Sequence, residues 1–350
     1  MANLALIVVS AAVVTFIATP LIRRLATKLG VIDQPSSRKL HLSPVPLLGG
    51  VAIYSGLVAA LFIGNTQPYF QELVGVMLGA TVMTTLGVWD DSRGMKPVVK
   101  LAGQALAGVS LVMIAGIQVT LFNAQWLNIA ITLFWVVGIA NAVNFLDNMD
   151  GLAAGLASVA AGFFLMLAVL EDLSLVAALS AATMGTCLGF LYFNFQPASL
   201  FMGDAGSLLL GYVLAVLGMK LEFAGRPLAS TWMIPIIVLG LPIFDMTLVV
   251  ISRLRRRVPV YKGGKDHISH RLVSRLGLSQ ARAVVTLYYV ATGLGMLSII
   301  VRETQPWQAS LIGGGLLIAF LGILVWVERG YEPEQTKPSS PKDDDTIQTS

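Results

Sequence analysis

Charge is what this sequence has least of. Only 12% of its 350 residues are Asp, Glu, Lys or Arg, whereas a soluble globular domain carries about 25%. Hydrophobic residues make up 56% of the chain, and the mean hydropathy is +0.78. This composition excludes a water-soluble fold and predicts an all-α, polytopic membrane protein, because apolar helices satisfy their own backbone hydrogen bonds in lipid.

Cysteine and histidine are also scarce. The single cysteine, Cys187, lies in an apolar run and excludes an intrachain disulfide. The three histidines are His41, His267 and His270, and only the last two are near each other, so zinc is disfavoured as a bound metal. The pI of 9.2 does not require a nucleic acid partner, since basic cytoplasmic loops raise the pI of a membrane protein.

Long apolar runs dominate what is present. A membrane-spanning helix needs about 20 apolar residues, and eleven segments approach that length. We predict helices at residues 2–22, 47–65, 72–89, 98–116, 127–146, 152–170, 174–193, 205–221, 231–252, 283–301 and 307–327. The first segment is expected to be retained, because no basic residue precedes it and no small-x-small cleavage site follows it.

Two regions of unequal composition are predicted. Residues 1–330 form a transmembrane domain, and residues 331–350, YEPEQTKPSSPKDDDTIQTS, form a polar tail that we expect to be disordered. With the amino terminus outside, twenty of the 23 Lys and Arg residues fall on the inner side and three on the outer side. Lys and Arg accumulate in cytoplasmic loops, so the carboxyl terminus is predicted to be cytoplasmic.

One polar stretch, NAVNFLDNMDG, interrupts sequence that is otherwise free of charge over residues 101–146 and 152–170. Its polar side chains recur at intervals of three, at Asn141, Asn144, Asp147 and Asp150. Residues three apart share one face of a helix. Helix capping would explain a single Asp here, but four polar groups in register favour a functional site, because ionisable groups at membrane depth are costly.

Further polar clusters fall on the same predicted inner side. They are Asp90 and Asp91 in GVWDDSRGMK, Asp204 in FMGDAGS, and Lys265, Asp266, His267, His270 and Arg271 in KGGKDHISHRL. Acids without a thiol ligand indicate a hard divalent cation, Mg²⁺ or Mn²⁺. The basic side chains suit phosphoryl oxygens, and the glycines of MGDAGS allow close approach of a phosphate. We therefore predict metal-assisted phosphoryl transfer between a soluble phosphate compound and a lipid.

Two other classes of function also fit membrane acids. A proton- or cation-coupled transporter would carry them near the bilayer midplane, whereas Asp90, Asp91, Asp150 and Asp204 fall at predicted helix ends and only Asp245 is deeper. A non-catalytic scaffold for lipid pyrophosphates is the third alternative. For Asp245, a structural ion pair with a neighbour such as Arg253 and a catalytic role are equally open.

Five segments, in this order, resemble the polyprenyl-phosphate N-acetylhexosamine-1-phosphate transferases. They are RKLHLSPVPLLGG, GVWDDSRGMKPVVKL, NAVNFLDNMDGLAAG, NFQPASLFMGDAGS and GGKDHISHRL. The resemblance covers about residues 1–330. It implies a bacterial plasma-membrane enzyme, with its active site facing the cytoplasm, that transfers a sugar-1-phosphate from a UDP-sugar to undecaprenyl phosphate and releases UMP. It also implies Mg²⁺ and suggests a homodimer.

The resemblance assigns roles to particular residues. The implied metal ligand is Asp204. The implied catalytic residues are Asp90 and Asp91 at the lipid phosphate, Asp147 and Asp150 near the metal and pyrophosphate, and His267 and His270 in the inner loop. The implied substrate-binding residues are Lys39, Lys100, Asn141, Asn144, Asn194, Phe201, Ser207 and Arg271, with Phe201 stacking on uracil.

One position departs from part of the family. The muramoyl-pentapeptide branch carries three consecutive histidines in the inner loop, whereas this sequence reads HISH, with Ser269 in place of one of them. This departure favours the UDP-N-acetylglucosamine branch and keeps a phospho-N-acetylmuramoyl-pentapeptide transferase as the alternative. Direct attack by the lipid phosphate and a two-step route through an acyl-phosphate on an Asp both remain open.

Overall fold

A computed structural model describes residues 3–34, 44–64, 69–261, 263–329 and 331. These residues are almost entirely helical. The sole sheet among them pairs β1 (Ile32–Asp33) with β2 (Val45–Pro46) in antiparallel register. The predicted all-α membrane class is therefore confirmed. Lys39, His41 and residues 332–350 of the predicted tail lie outside the described residues.

Fourteen α-helices are described. They are α1 (Leu4–Leu29), α2 (Gly49–Ile63), α3 (Phe70–Arg93), α4 (Pro97–Ser110), α5 (Gln125–Leu146), α6 (Leu152–Leu170), α7 (Ser174–Asn194), α8 (Gly203–Lys220), α9 (Leu228–Thr231), α10 (Ile234–Val238), α11 (Gly240–Arg255), α12 (Ile268–Leu276), α13 (Gln280–Arg302) and α14 (Pro306–Glu328). A π-helical turn, Leu111–Ala115, extends α4. Within the described ranges, nine helices are long and apolar enough to cross a membrane, or ten if one bent pair counts as a span.

Each of the eleven predicted segments coincides with helix, but the count of eleven spans is not confirmed. Helix α2 has 15 residues, which at about 1.5 Å per residue is shorter than the roughly 30 Å hydrocarbon core. The predicted helix 231–252 is wrong as a continuous element, because the chain bends by 68° between α10 and α11. Pro242 explains the break, since it offers no N–H to the carbonyl of Val238 four residues earlier.

Helices α7 and α8 form the centre of the molecule, whereas α1 and α14 lie at its lipid-exposed edge. Small residues let the backbones around α8 approach closely. A Cβ atom on Gly50 of α2 would lie 2.0 Å from the backbone nitrogen of Gly206, and one on Gly87 of α3 would lie 2.2 Å from that of Ala205. Glycine at such contacts is typical of helix packing in membranes. The first turn of α8 is thereby held against α2 and α3.

The segment entering α8 is fixed by backbone hydrogen bonds to the sheet region. The Phe201 N–H donates to the Pro46 carbonyl over 3.0 Å, and the Phe201 carbonyl accepts from Gly49 N–H over 3.0 Å. The Gly50 N–H donates to the Met202 carbonyl over 2.9 Å. These bonds order the approach to Asp204.

Candidate active site

An ion cluster forms where the carboxyl end of α3 meets the amino ends of α4 and α8. Lys100 of α4 places its Nζ 2.9 Å from Oδ2 of Asp90, in the last turn of α3. The same Nζ donates to Oδ2 of Asp204, in the first turn of α8. All three side chains are partly shielded from solvent. In the structure, two of the predicted site carboxylates are therefore bridged by the ammonium group of Lys100, which was predicted to bind substrate.

Asp91, the neighbour of Asp90, contacts backbone atoms instead. Its Oδ1 accepts from the Asp204 N–H over 2.9 Å and its Oδ2 from the Ala205 N–H over 3.2 Å. A carboxylate at a helix amino terminus satisfies free N–H groups and complements the helix dipole. Gly203 makes this contact possible, since its φ is +66° and a Cβ there would lie 2.4 Å from Asp91 Oδ2. Asp91 thus holds the backbone that carries Asp204.

The predicted polar stripe of α5 reaches the same cluster. The amide nitrogen of Asn144 donates to Asp204 Oδ1 over 2.7 Å and contacts Ser207 Oγ at 2.8 Å. One turn earlier, Asn141 donates to Gln104 of α4 over 2.6 Å. Asn144 and Ser207 therefore lie in the cluster. Asn141 lies beside it and is bonded to Gln104, a residue not predicted for the site from the sequence.

Asp147 follows the last residue of α5. Burial of its carboxyl group, together with the negative charges of Asp204, Asp91 and Asp150, raises the pKa of Asp147 well above its usual range. The cluster therefore contains more carboxyl groups than cations. Asp150 is engaged locally, because its Oδ2 accepts from the backbone N–H of Ala198 over 2.9 Å.

Asn194 and Phe201 flank the loop before α8. Asn194 is only 2% exposed, and both ends of its amide are bonded to backbone. Its oxygen accepts from Gly151 N–H over 3.2 Å, and its nitrogen donates to the Leu200 carbonyl over 3.0 Å. Phe201 is half-buried. The nucleotide contacts of these two residues stay predictions, and the structure adds that Asn194 ties two loops of the site together.

A second cluster, which we name the histidine cluster, comprises Asp245, His267, His270 and the ring of Phe145. The His267 and His270 rings lie 6.1 Å apart, and the edge of Phe145 meets His267 at 6.1 Å between ring centroids. Phe145 directly follows Asn144, so α5 carries one residue of the histidine cluster and one of the ion cluster. Burial lowers the pKa of His270 to about 4, so His270 is neutral at physiological pH.

Arg271 is buried among groups at the carboxyl end of α14. Its Nη1 lies 2.7 Å from Glu328 Oε2 and donates to the Val327 carbonyl over 2.9 Å, while its guanidinium stacks 3.8 Å from the Tyr331 ring centroid. These contacts join α12 to α14. A contact of Arg271 with substrate stays a prediction.

Ser269 is fully buried, and its hydroxyl donates to Asn148 Oδ1 over 2.5 Å. An imidazole is much larger than a hydroxymethyl group, and close-packed interiors do not absorb such an increase without strain. A small hydroxyl residue therefore fits the third position of HISH, where Ser269 links α12 to the loop after α5.

The sequence is similar to those of known transferases. The glycosyl transferase family 4 model matches residues 73–222, which include both carboxylates bridged by Lys100. A probable undecaprenyl-phosphate N-acetylglucosaminyl 1-phosphate transferase of Bacillus subtilis is 35% identical, with 92% of this chain and 91% of the relative covered.

The chain belongs to this transferase family. A decaprenyl-phosphate N-acetylglucosaminephosphotransferase of Mycobacterium tuberculosis is 31% identical over 95% of this chain and 92% of the relative. A phospho-N-acetylmuramoyl-pentapeptide-transferase of Desulforudis audaxviator is 30% identical over 80% of this chain and 91% of the relative. The protein is thus a sugar-1-phosphate transferase rather than a transporter or a scaffold, and the resemblance inferred from its motifs is confirmed.

The family generally depends on a divalent metal, and the ion cluster holds the side chains that could bind one. Among the described residues, no three His, Cys, Asp or Glu side chains converge as a ready-made ligand set. The available donors are oxygens, from Asp90, Asp204 and Asn144, and carboxyl groups outnumber the single Lys100. Mg²⁺ is commonly bound by one or two carboxylates plus water and substrate phosphates, so these donors fit such an ion.

Sequence reasoning missed several residues that build the site. Three features depend on which helices are neighbours in space: the pairing of Asp245 with His267, the contact of Gln104 with Asn141, and the capping of α8 by Asp91. A signal existed for Gly203, because it lies in the turn before the predicted helix 205–221 and glycine adopts positive φ most readily.

Proposed function

We propose that the protein transfers N-acetylglucosamine-1-phosphate from UDP-N-acetylglucosamine to undecaprenyl phosphate, as a first membrane step of cell-envelope glycan synthesis. The observation that carries the proposal is the Lys100 bridge between Asp90 and Asp204, beside Asn144. It is a compact charged site at the ends of apolar helices, suited to a soluble phosphate and a lipid phosphate together. The names of the Bacillus and Mycobacterium relatives both support the sugar and a polyprenyl phosphate acceptor, which is undecaprenyl phosphate in the Bacillus name and decaprenyl phosphate in the Mycobacterium name.

The reaction exchanges one phosphoanhydride bond for another. An oxygen of the lipid phosphate attacks the phosphorus attached to the sugar, and the bond from that phosphorus to the oxygen of UMP breaks. UMP leaves with the electron pair, and a lipid pyrophosphate sugar remains. Phosphoryl transfer is accelerated mainly by positioning and by stabilising charge. Lys100 is the cation placed to offset charge on the transferred phosphoryl group.

Asp204 and Asp90 would hold Mg²⁺ or Mn²⁺, with Asn144 orienting Asp204 through its 2.7 Å hydrogen bond. A bound divalent ion would supply neutralisation of pyrophosphate charge. Asp91 would keep the first turn of α8 in place through its two backbone contacts. The histidine cluster, Arg271 and Asn194 would complete the surroundings of the substrate.

A donor comparison tests this function. Purified protein with undecaprenyl phosphate and Mg²⁺ should release one UMP per lipid product from UDP-N-acetylglucosamine, and much less from UDP-N-acetylmuramoyl-pentapeptide. Preference for the pentapeptide donor would instead support the muramoyl alternative, for which the Desulforudis relative is named. Without lipid, direct attack releases no UMP, whereas an acyl-phosphate on an Asp releases one UMP per enzyme molecule.

The site is further proposed to face the cytoplasm of a bacterial plasma membrane. The excess of Lys and Arg on the predicted inner side supports this orientation. The only native cysteine, Cys187, is buried, so introduced cysteines can be labelled selectively. A membrane-impermeant thiol reagent applied to intact cells should label Glu222→Cys and leave Arg282→Cys unlabelled. Cross-linking in the same membranes tests the suggested homodimer.

A further inference from the structure

Asp245 is an acid inside the membrane domain that the proposed reaction does not yet use. It lies in α11, two turns after the break between α10 and α11, and is 0% exposed. Burying a carboxylate is costly unless it is paired and hydrogen-bonded. Its retention at this depth therefore requires partners that compensate for the lost water.

Those partners all belong to the start of α12. Asp245 Oδ2 lies 2.7 Å from His267 Nδ1, and Oδ1 accepts from the Ile268 N–H over 2.7 Å. Arg253, which the sequence offered as a partner of Asp245, instead donates through Nε to Asp266 Oδ2 over 2.9 Å. Asp245 therefore faces the His267 imidazole and the Ile268 N–H at the start of α12.

The geometry points to Asp245 as a positioning residue for the transfer reaction: we propose that it fixes His267 in the tautomer whose Nδ1 carries the proton. A carboxylate oxygen can only accept a hydrogen bond, so Nδ1 must donate. In the neutral imidazole the second ring nitrogen, Nε2, is then an acceptor. The inference rests on the proposed function, because it assigns Nε2 to accept a proton, as transfer proceeds, from a hydroxyl group of the substrates, either that of a protonated phosphate or that of the sugar.

The surroundings hold the ring in that state. The edge of Phe145 meets one side of His267, and His270 lies on another. The next residues are fixed as well, since the Ser269 hydroxyl donates to Asn148. Rotation of the ring would break the Asp245 contact, so the position and the tautomer of His267 are set together.

Asp245→Asn is the decisive variant. Its amide oxygen can still accept from Ile268 N–H, which preserves the start of α12, but its NH₂ group then faces Nδ1 and forces Nε2 to carry the proton. Loss of the correct tautomer, or of a proton acceptor, lowers kcat by about 100-fold or more. We expect that loss with a KM for UDP-N-acetylglucosamine within about threefold of the wild-type value, since ground-state binding is unchanged.

A double-mutant cycle separates positioning from a structural role. In the His267→Gln background, Asp245→Asn should lower kcat by less than about threefold, because no imidazole remains to be oriented. A structural role would instead persist in that background, through the lost support of α12. Thr247→Val is the matched control on α11, since Thr247 bonds only the carbonyl of Ile243 one turn earlier, and it should keep the wild-type kcat.

Three results would overturn the inference while leaving the transferase function intact: an Asp245→Asn enzyme within about threefold of wild-type kcat, an undiminished effect in the His267→Gln background, or a fall of the unfolding midpoint by more than about 5 °C. Failure of the proposed function is distinguishable, because the wild-type protein itself would then form no lipid product.

Discussion

The ammonium group of Lys100 lies between the carboxylates of Asp90 and Asp204, and its Nζ is 2.9 Å from Asp90 Oδ2. Three helices that are separate in sequence meet at this contact. A lysine so placed offsets the repulsion between two carboxylates that a site for a divalent cation needs close together. The charge balance of the site therefore depends on one side chain.

Removing that charge should stop transfer. In Lys100→Met, Asp90, Asp204 and the incoming phosphates lose the ammonium group that offsets part of their negative charge, so we expect kcat to fall by about 100-fold or more. Lys220→Met is the matched control, since Lys220 pairs with Glu72 at the opposite end of α8. UMP release measures both variants. A Lys100→Met enzyme within about tenfold of wild type would show that this lysine does not act on the reacting groups.

Gly203 should be irreplaceable because of Asp91. A Cβ at Gly203 would lie 2.4 Å from Asp91 Oδ2, so Gly203→Ala must displace the carboxylate that caps α8, and transfer should fall by about tenfold or more.

Gly225→Ala isolates the contribution of backbone strain. Gly225 also has positive φ, +72°, but a Cβ there would meet nothing within 4 Å. This variant should lose about 1–2 kcal/mol of stability and keep its transfer rate. Equal activity losses in the two alanine variants would contradict the steric account.

Asp150 offers a test of local structure by thermal unfolding. Its carboxylate accepts the Ala198 N–H over 2.9 Å. Asp150→Asn retains an acceptor oxygen, whereas Asp150→Ala leaves this N–H without its partner, at a cost of about 1–3 kcal/mol. We expect a clearly lower unfolding midpoint for the alanine variant than for the asparagine variant. Matching midpoints would mean that this hydrogen bond does not support the fold.

His270 predicts a pH dependence of stability. Burial is the largest cause that lowers its pKa to about 4, and the neighbouring groups of His267, Asp245, Lys265 and Asp266 also act on it. Because the folded pKa lies below the unfolded value of about 6.5, protonation favours the unfolded chain. The stabilisation is present above about pH 6.5 and is lost as the pH falls towards 4.

Between pH 7.5 and 5 the wild-type protein should therefore lose about 1–2 kcal/mol that His270→Gln does not lose. Thermal unfolding of both proteins across that range provides the measurement. Parallel pH curves would exclude a buried neutral His270.

Much of the architecture was predictable because lipid imposes a simple rule on sequence. The charge-free runs at 127–146 and 152–170 became α5 and α6, with ends close to those predicted. Convergence of Asp90, Asn144 and Asp204 is predicted by the sequence, because each lies at or near an end of a predicted helix on the predicted inner side. Hydropathy does not indicate the break before α11. Pro242 does, because a proline interrupts the hydrogen bonds of a helix.

What the sequence could not provide is which partner each polar group takes. The sequence suggests Arg253, eight residues away, as an ion-pair partner of Asp245. In the structure Asp245 pairs with His267, and Arg253 pairs with Asp266. Asp90 and Asp91 are adjacent and identical, yet one meets a lysine and the other caps a helix. Such choices depend on helix rotation and on close approach at Gly50, Gly87 and Gly203, which follow from packing in three dimensions.

The most direct test of the central claim is product formation by purified wild-type protein and by Asp204→Asn, with undecaprenyl phosphate, UDP-N-acetylglucosamine and Mg²⁺. Mass spectrometry should detect undecaprenyl-pyrophosphoryl N-acetylglucosamine from the wild type, and none from an Asp204→Asn variant with unchanged helical content. Equal product from both proteins would contradict the assignment of the Asp90, Lys100 and Asp204 cluster as the transfer site.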